Sequence, residues 1–120
     1  MITRFSVPNL HECTINLVNI AANKITPELV LTNAKVLSTY TDRIIDKKEI
    51  WISKGRIASI KDTGSAKKIF KKDNFLLYDI NNNILAPGLI DPHMHIESSM
   101  MTGCAYAEAS LLNGTTTIDR

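Results

Sequence analysis

Two histidines, His93 and His95, stand two residues apart, and a carboxylate, Glu97, follows at the same spacing. Neutral imidazole is a ligand for zinc, iron, manganese and their neighbours. On an extended strand, side chains i and i+2 project from one face, so this spacing predicts two nitrogens standing side by side toward one ion. The residues just before them support a strand, because Pro87-Gly88 signals a turn and Leu89-Ile90 opens a short apolar run. Glu97 falls on the same alternation and could be a further ligand, a group that orients a ligand, or a contact to substrate. Its bland alternative is a solvated carboxylate at a strand end. Ser98 and Ser99 either hydrogen-bond in the loop or shape the turn that follows. Asp91 reads as structural, holding the junction of strand and loop, and Met100 and Met101 as packing.

These side chains need a scaffold, and the rest of the chain carries the pattern of one. A helical period starts after Asn9, with Leu10, Cys13, Leu17 and Ala21 on one stripe. Asn9 and Glu12 have the spacing of a capping box, and Pro27 predicts a helix end near Lys24. His11 lies on this helix as a surface residue. From Leu29 the period changes to two. Leu29-Val30-Leu31 and Val36-Leu37 read as short strands with a bend or bulge at Asn33-Ala34 between them. Alternating strands flank Lys54-Gly55, a strong hairpin signal. Residues 75–80 form another strand, closed by the turn cluster Asn81-Asn82-Asn83. The expectation for this region is a small antiparallel β-module. Lys67, Lys68, Lys71 and Lys72 lie between strands with Asp62 and Asp73 flanking them, which favours a solvated loop over a nucleic-acid surface. Thr102 is a natural N-cap for a helix over residues 103–113, with Ala105, Tyr106, Ala109 and Leu112 on one face. Gly114 suits its C-terminus, and Thr115 starts a further strand. Strand, helix and strand in this order make a β/α repeat of a parallel sheet or barrel.

Composition narrows the class. A net charge of +2 is too small to point to a polyanionic partner. Cys13 and Cys104 have no metal-type spacing and no disulfide framework, so a reducing cytoplasm is the default. Arg4 is not followed by the apolar run of a signal peptide, and no stretch approaches the ~18 apolar residues of a membrane span. A cytidine-type zinc deaminase needs a Cys-x-x-Cys pair, which the sequence lacks.

The run Pro87-Gly88-Leu89-Ile90-Asp91-x-His93-x-His95 resembles the first barrel strand of the amidohydrolase superfamily. The narrower run His95-Ile96-Glu97-Ser98-Ser99-Met100 resembles the adenine deaminases within it, and Gly114-Thr115-Thr116-Thr117 is similar to the start of their second barrel strand. The resemblance implies a mixed α/β chain in three parts. Residues 1–27 would form an N-terminal helical segment, and residues 28–85 part of a composite β-sandwich. Residues 86–120 would form the first βαβ unit of a (β/α)8 barrel. It further implies hydrolysis of adenine to hypoxanthine and ammonia by a metal-activated hydroxide.

His93 and His95 would then be metal ligands, Glu97 the candidate catalytic carboxylate, and Ser98 and Ser99 candidate substrate contacts. The metal would be divalent, manganese or iron with zinc as a further option, in a binuclear centre. The partner would be the purine itself, with no nucleic acid or membrane involved, in a homo-oligomer or with the remaining C-terminal part. A barrel takes about 250 residues, whereas 25 follow His95. The resemblance therefore implies the front portion of a longer enzyme, truncated before the later ligands and inactive alone. Gly103 stands where the family usually has proline, and the chain stops before the family's Asp-x-His-Glu segment. A hydrolase of the same scaffold acting on a cyclic amide, and a non-catalytic remnant or binding module, are the competing readings.

Overall fold

The computed structural model describes residues 7–71 and 74–119. Arg4, Lys72, Asp73 and Arg120 lie outside the described residues. The chain is mixed α/β and divides into two compact units, one running to Leu85 and the other beginning at Ala86.

The first unit opens with α1 (Leu10–Ala21) and continues through β1 (Leu29–Ser38), β2 (Arg43–Ser53) and β3 (Arg56–Asp62). A short α2 (Ser65–Ile69) then leads to β4 (Leu76–Asp79) and β5 (Ile84–Leu85). β2 pairs antiparallel with both β1 and β3. The β2–β3 connection is Lys54-Gly55 with φ of 53° and 68°. Positive φ at both central residues gives a turn whose twist matches the flanking strands, as the Lys-Gly signal predicts. Glu28 braces it, its carboxylate accepting from the Lys54 amide at 3.0 Å and meeting the Lys54 ammonium at 3.0 Å. These contacts, the amide first, hold the Glu28 carboxyl below the usual carboxylate range.

The expected antiparallel module is corrected here: the sheet is mixed. β4 and β5 both run parallel to β1, in the order β3-β2-β1-β4 with β5 also beside β1. The cause is the connection over residues 63–75, which passes through α2 to the far edge instead of turning back as a hairpin. Parallel neighbours need such a crossover. Lys67 and Lys68 therefore sit on a helix and not in a loop. That helix forms because Ala66 and Phe70, at helical spacing, are buried against Trp51. Asn33, with φ of 55°, lies where a bend or bulge is expected, and it takes the bulge form: β1 runs on through it as one strand with a shifted register.

Alternation along β2 explains the core. Glu49, Trp51 and Ser53 share one face and are all buried, Trp51 fully. On that side Ile20, Val30, Trp51, Ala66 and Phe70 form one cluster, with the Trp51 and Phe70 rings 5.6 Å apart and tilted. Ile50 packs in a second cluster with Ala34 and Val36. The stripe on α1 also needs correction. Leu10 drops out of it at 58 % exposed, while Cys13 is buried, Leu17 and Ala21 are half-buried, and Ile20 is buried in the cluster around Trp51. Asn9 precedes the helix as expected, yet its amide donates to the Glu12 carboxylate at 3.1 Å and caps no backbone group.

The second unit contains β6 (Leu89–Asp91), a 3-10 turn (Ile96–Ser99), α3 (Gly103–Leu112) and β7 (Thr115–Ile118). Thr102 caps α3, its hydroxyl accepting from the Ala105 amide at 3.3 Å, and Gly114 has a φ of 85°. Leu112, expected on the packed face of α3, is 89 % exposed; Ala105, Tyr106 and Ser110 are the half-buried positions. β6 and β7 pair in parallel, with Leu89 opposite Thr115 and Asp91 opposite Ile118.

Gly88 makes that pairing possible. A Cβ built on it would overlap Thr116 Oγ1 and Cγ2 and lie 2.7 Å from Thr116 Cβ, which no rotamer change can move away. Gly88→Ala is therefore expected to part β6 from β7, at a cost of about 1–3 kcal/mol. Amide exchange at Leu89, which donates to the Gly114 carbonyl at 2.9 Å, reads this directly. Adding Thr116→Gly should restore protection; slow exchange in the single variant would refute the contact.

Candidate metal centre

The site lies where β6 ends. Pro92 has no amide hydrogen to extend the ladder, so the strand stops at Asp91 and the two histidines follow it in a loop. The expectation that strand alternation itself aligns them is thus corrected. The loop is instead secured at three points. Asp91 accepts the His93 amide on its side chain at 3.2 Å and the Asp119 amide on its carbonyl at 3.0 Å. The Met94 amide donates to the Asp119 carbonyl at 3.1 Å. Asp91 therefore holds the junction of strand and loop, as its position suggests. The backbone at Asp119 carries the β7 pairing on to the histidine loop, a contribution with no signal in the sequence because it depends on which strand lies alongside.

The loop still brings the imidazoles together. Their ring centroids are 4.8 Å apart and the planes meet at 87°, edge to face instead of side by side. His95 Nδ1 lies 3.1 Å from a Glu97 carboxylate oxygen. Both side chains are largely open to solvent, at 63 % and 71 %. Glu97 belongs to the 3-10 turn, which is tied by the Ser98 amide donating to the His95 carbonyl at 3.1 Å. The Ser99 hydroxyl donates to the Ile96 carbonyl at 2.6 Å and accepts from the Met101 amide at 3.3 Å. Ser99 is thereby engaged in shaping the turn, and Ser98 sits beside it on the exposed side. Met100 closes the turn with a φ of 59° and is fully exposed, so packing is not its role here.

As a donor set, His93 and His95 suit a first-row divalent ion in kind and proximity. Among the described residues, no group of three or more His, Cys, Asp or Glu side chains gathers for a metal. The pair by itself would fill two coordination positions of such an ion. No helix among the described residues is long and apolar enough to cross a membrane.

No protein-family model matches the chain. It is 54 % identical over 117 residues to "Adenine deaminase 2" of Bradyrhizobium sp. (strain ORS 278), and equally so to "Adenine deaminase 3" of Rhizobium johnstonii. Each match takes in 98 % of this chain and 19 % of the relative. "Adenine deaminase" of Staphylothermus marinus is 38 % identical over 104 residues, 87 % of this chain and 17 % of that protein. The chain thus spans about one fifth of the length of the curated relatives it matches.

Proposed function

From its homology to adenine deaminases, we propose that this chain is the N-terminal portion of a metal-dependent enzyme of that kind. The reaction is the hydrolysis of adenine to hypoxanthine and ammonia. The observation that carries the reading is the His93–His95 pair at the end of a parallel strand, on a chain 54 % identical to proteins of that name. In this reading residues 86–120 are the first βαβ unit of a (β/α)8 barrel, whose active sites lie at the C-terminal ends of the strands. Residues 28–85 contribute to a β-sandwich, and residues 1–27 are the N-terminal segment that carries α1. The enzyme works in the cytoplasm as an oligomer.

His93 and His95 hold one ion of a binuclear centre, manganese or iron. When bound, such an ion acts as a Lewis acid that makes hydroxide available near neutral pH. The chain's own part is positional. Asp91 and Asp119 set the loop, and the 3-10 turn sets Glu97, Ser98 and Ser99 at its rim. Deamination also needs a group that moves protons to the leaving amine and walls that orient the purine. Two ligands and one strand end do not supply them.

The chain alone is therefore expected to give no useful turnover. Mixed with the complementary C-terminal segment of the 54 %-identical Bradyrhizobium protein, it should form hypoxanthine from adenine when manganese or iron is present. Turnover by the lone chain would show that less of the fold suffices. A reassembled pair that ignores adenine but opens a cyclic amide would replace the substrate.

A further inference from the structure

Resting on that reading, we propose that Glu97 is a positioning residue for His95: its carboxylate accepts a hydrogen bond from Nδ1–H, which keeps the proton on Nδ1 and leaves Nε2 as the nitrogen that binds metal. The two atoms are 3.1 Å apart. An ionised carboxylate only accepts hydrogen bonds, so the ring nitrogen facing it must carry the proton. A neutral imidazole has a single N–H, and placing it on Nδ1 gives the lone pair to Nε2. An unconstrained histidine in water prefers the opposite tautomer, so without this contact part of the population presents the wrong nitrogen arrangement to the ion. Metal-bound histidines are commonly steadied by a carboxylate in this way, which fixes the ring and raises its basicity.

The turn makes the contact repeatable instead of incidental. The Ser98 amide on the His95 carbonyl and the Ser99 hydroxyl on the Ile96 carbonyl close the backbone on either side of Glu97. Its side chain is thereby directed back over the residue two positions earlier. His93 is set by different means, through the Asp91 carboxylate on its amide. The two histidines consequently have separate supports, and loss of one should leave the other in place. Of the roles open to Glu97, orientation is the one its hydrogen bond performs. Direct ligation would instead need a carboxylate oxygen turned toward the ion, whereas Oε1 is turned to Nδ1.

The pair is solvent-exposed, so the expected signature is a shift of population. Long-range 15N correlation spectra of the metal-free 120-residue chain, taken above the titration range of imidazole, report the tautomer of each histidine. Wild type should show His95 enriched in the Nδ1–H form. Glu97→Ala should move it toward Nε2–H, and Glu97→Gln should keep much of the enrichment, because a carbonyl oxygen still accepts. Titration with zinc ion alone should then find Glu97→Ala weaker by about 10-fold, the low end for a lost orienting partner, with Glu97→Gln close to wild type.

An unchanged His95 tautomer in Glu97→Ala would overturn the proposal. So would equal weakening by Gln and Ala, which marks a direct ligand. If His95→Ala leaves zinc affinity untouched, the metal reading fails, and the tautomer measurement still judges Glu97 by itself.

Discussion

Glu49→Ala is expected to destabilise the first unit by about 3–5 kcal/mol, because several buried neutral donors lose their acceptor at once, at about 1–3 kcal/mol each before water or relaxation offsets part of it. Glu49 is 1 % exposed on the covered face of β2. Its Oε1 accepts from Trp51 Nε1 and from the Ala66 amide, both at 2.7 Å. Its Oε2 accepts from the Gly64 amide at 2.8 Å and the Thr32 hydroxyl at 3.3 Å. One side chain thus satisfies the entry to α2, the indole of the central tryptophan and a residue of β1. Removing it leaves these donors in an apolar setting, each costing about 1–3 kcal/mol unless water reaches it. Glu49→Gln should cost less, because one oxygen still serves Trp51 and Ala66 while the new amide faces the Gly64 donor. Urea unfolding followed by fluorescence of Trp51, the sole tryptophan, measures both. A loss below about 1 kcal/mol for Glu49→Ala would mean that water replaces the carboxylate, and the network argument would fall.

The second large effect concerns the metal. Zinc or manganese binding to the chain should be lost in His93→Ala/His95→Ala, since among the described residues no group of three or more ligating side chains exists to hold an ion in their place. Wild-type binding itself should be weak, because two protein nitrogens leave half or more of the coordination sphere to water. The single variants should each lose most of the affinity, as one imidazole alone is a poor site. Calorimetric titration of the four proteins settles it. Equal affinity in the wild type and the double variant would move the site elsewhere and remove the main support for the proposed chemistry. The fold should survive these changes, because both rings are solvent-exposed and neither contributes to a core cluster.

The sequence by itself determined whatever depends on a few neighbouring residues. Lys54-Gly55 specified its hairpin because two adjacent positions needed positive φ. Thr102 and Gly114 bracketed α3 because capping acts over three or four residues. The run from Pro87 to Met100 carried its resemblance in consecutive positions, and the 54 % identity to adenine deaminases extends over nearly all of the chain. Even the pairing of His93 with His95 was legible, although the reason offered, strand alternation, was not the one the structure uses.

Tertiary structure decided the rest, because it depends on which distant segments come to lie together. Nothing local to residues 76–79 says that this strand runs parallel to β1; that follows from the crossover through α2, which forms once Ala66 and Phe70 find Trp51. Glu49 sits in an alternating strand where a charged residue ordinarily faces water. Its burial is intelligible only when the amides of Gly64 and Ala66 are delivered to it across 15 and 17 residues. The buried face of α1 runs through Ile20 and not Leu10 because Ile20 packs into the cluster around Trp51. At the candidate site, the sequence supplied the residue types, whereas the edge-to-face setting of the rings came from a loop anchored to Asp119 at the end of β7. Ligand identity is a property of side chains, and it can be read one residue at a time. Ligand geometry is a property of the backbone beneath them, and here that backbone is held from the neighbouring strand.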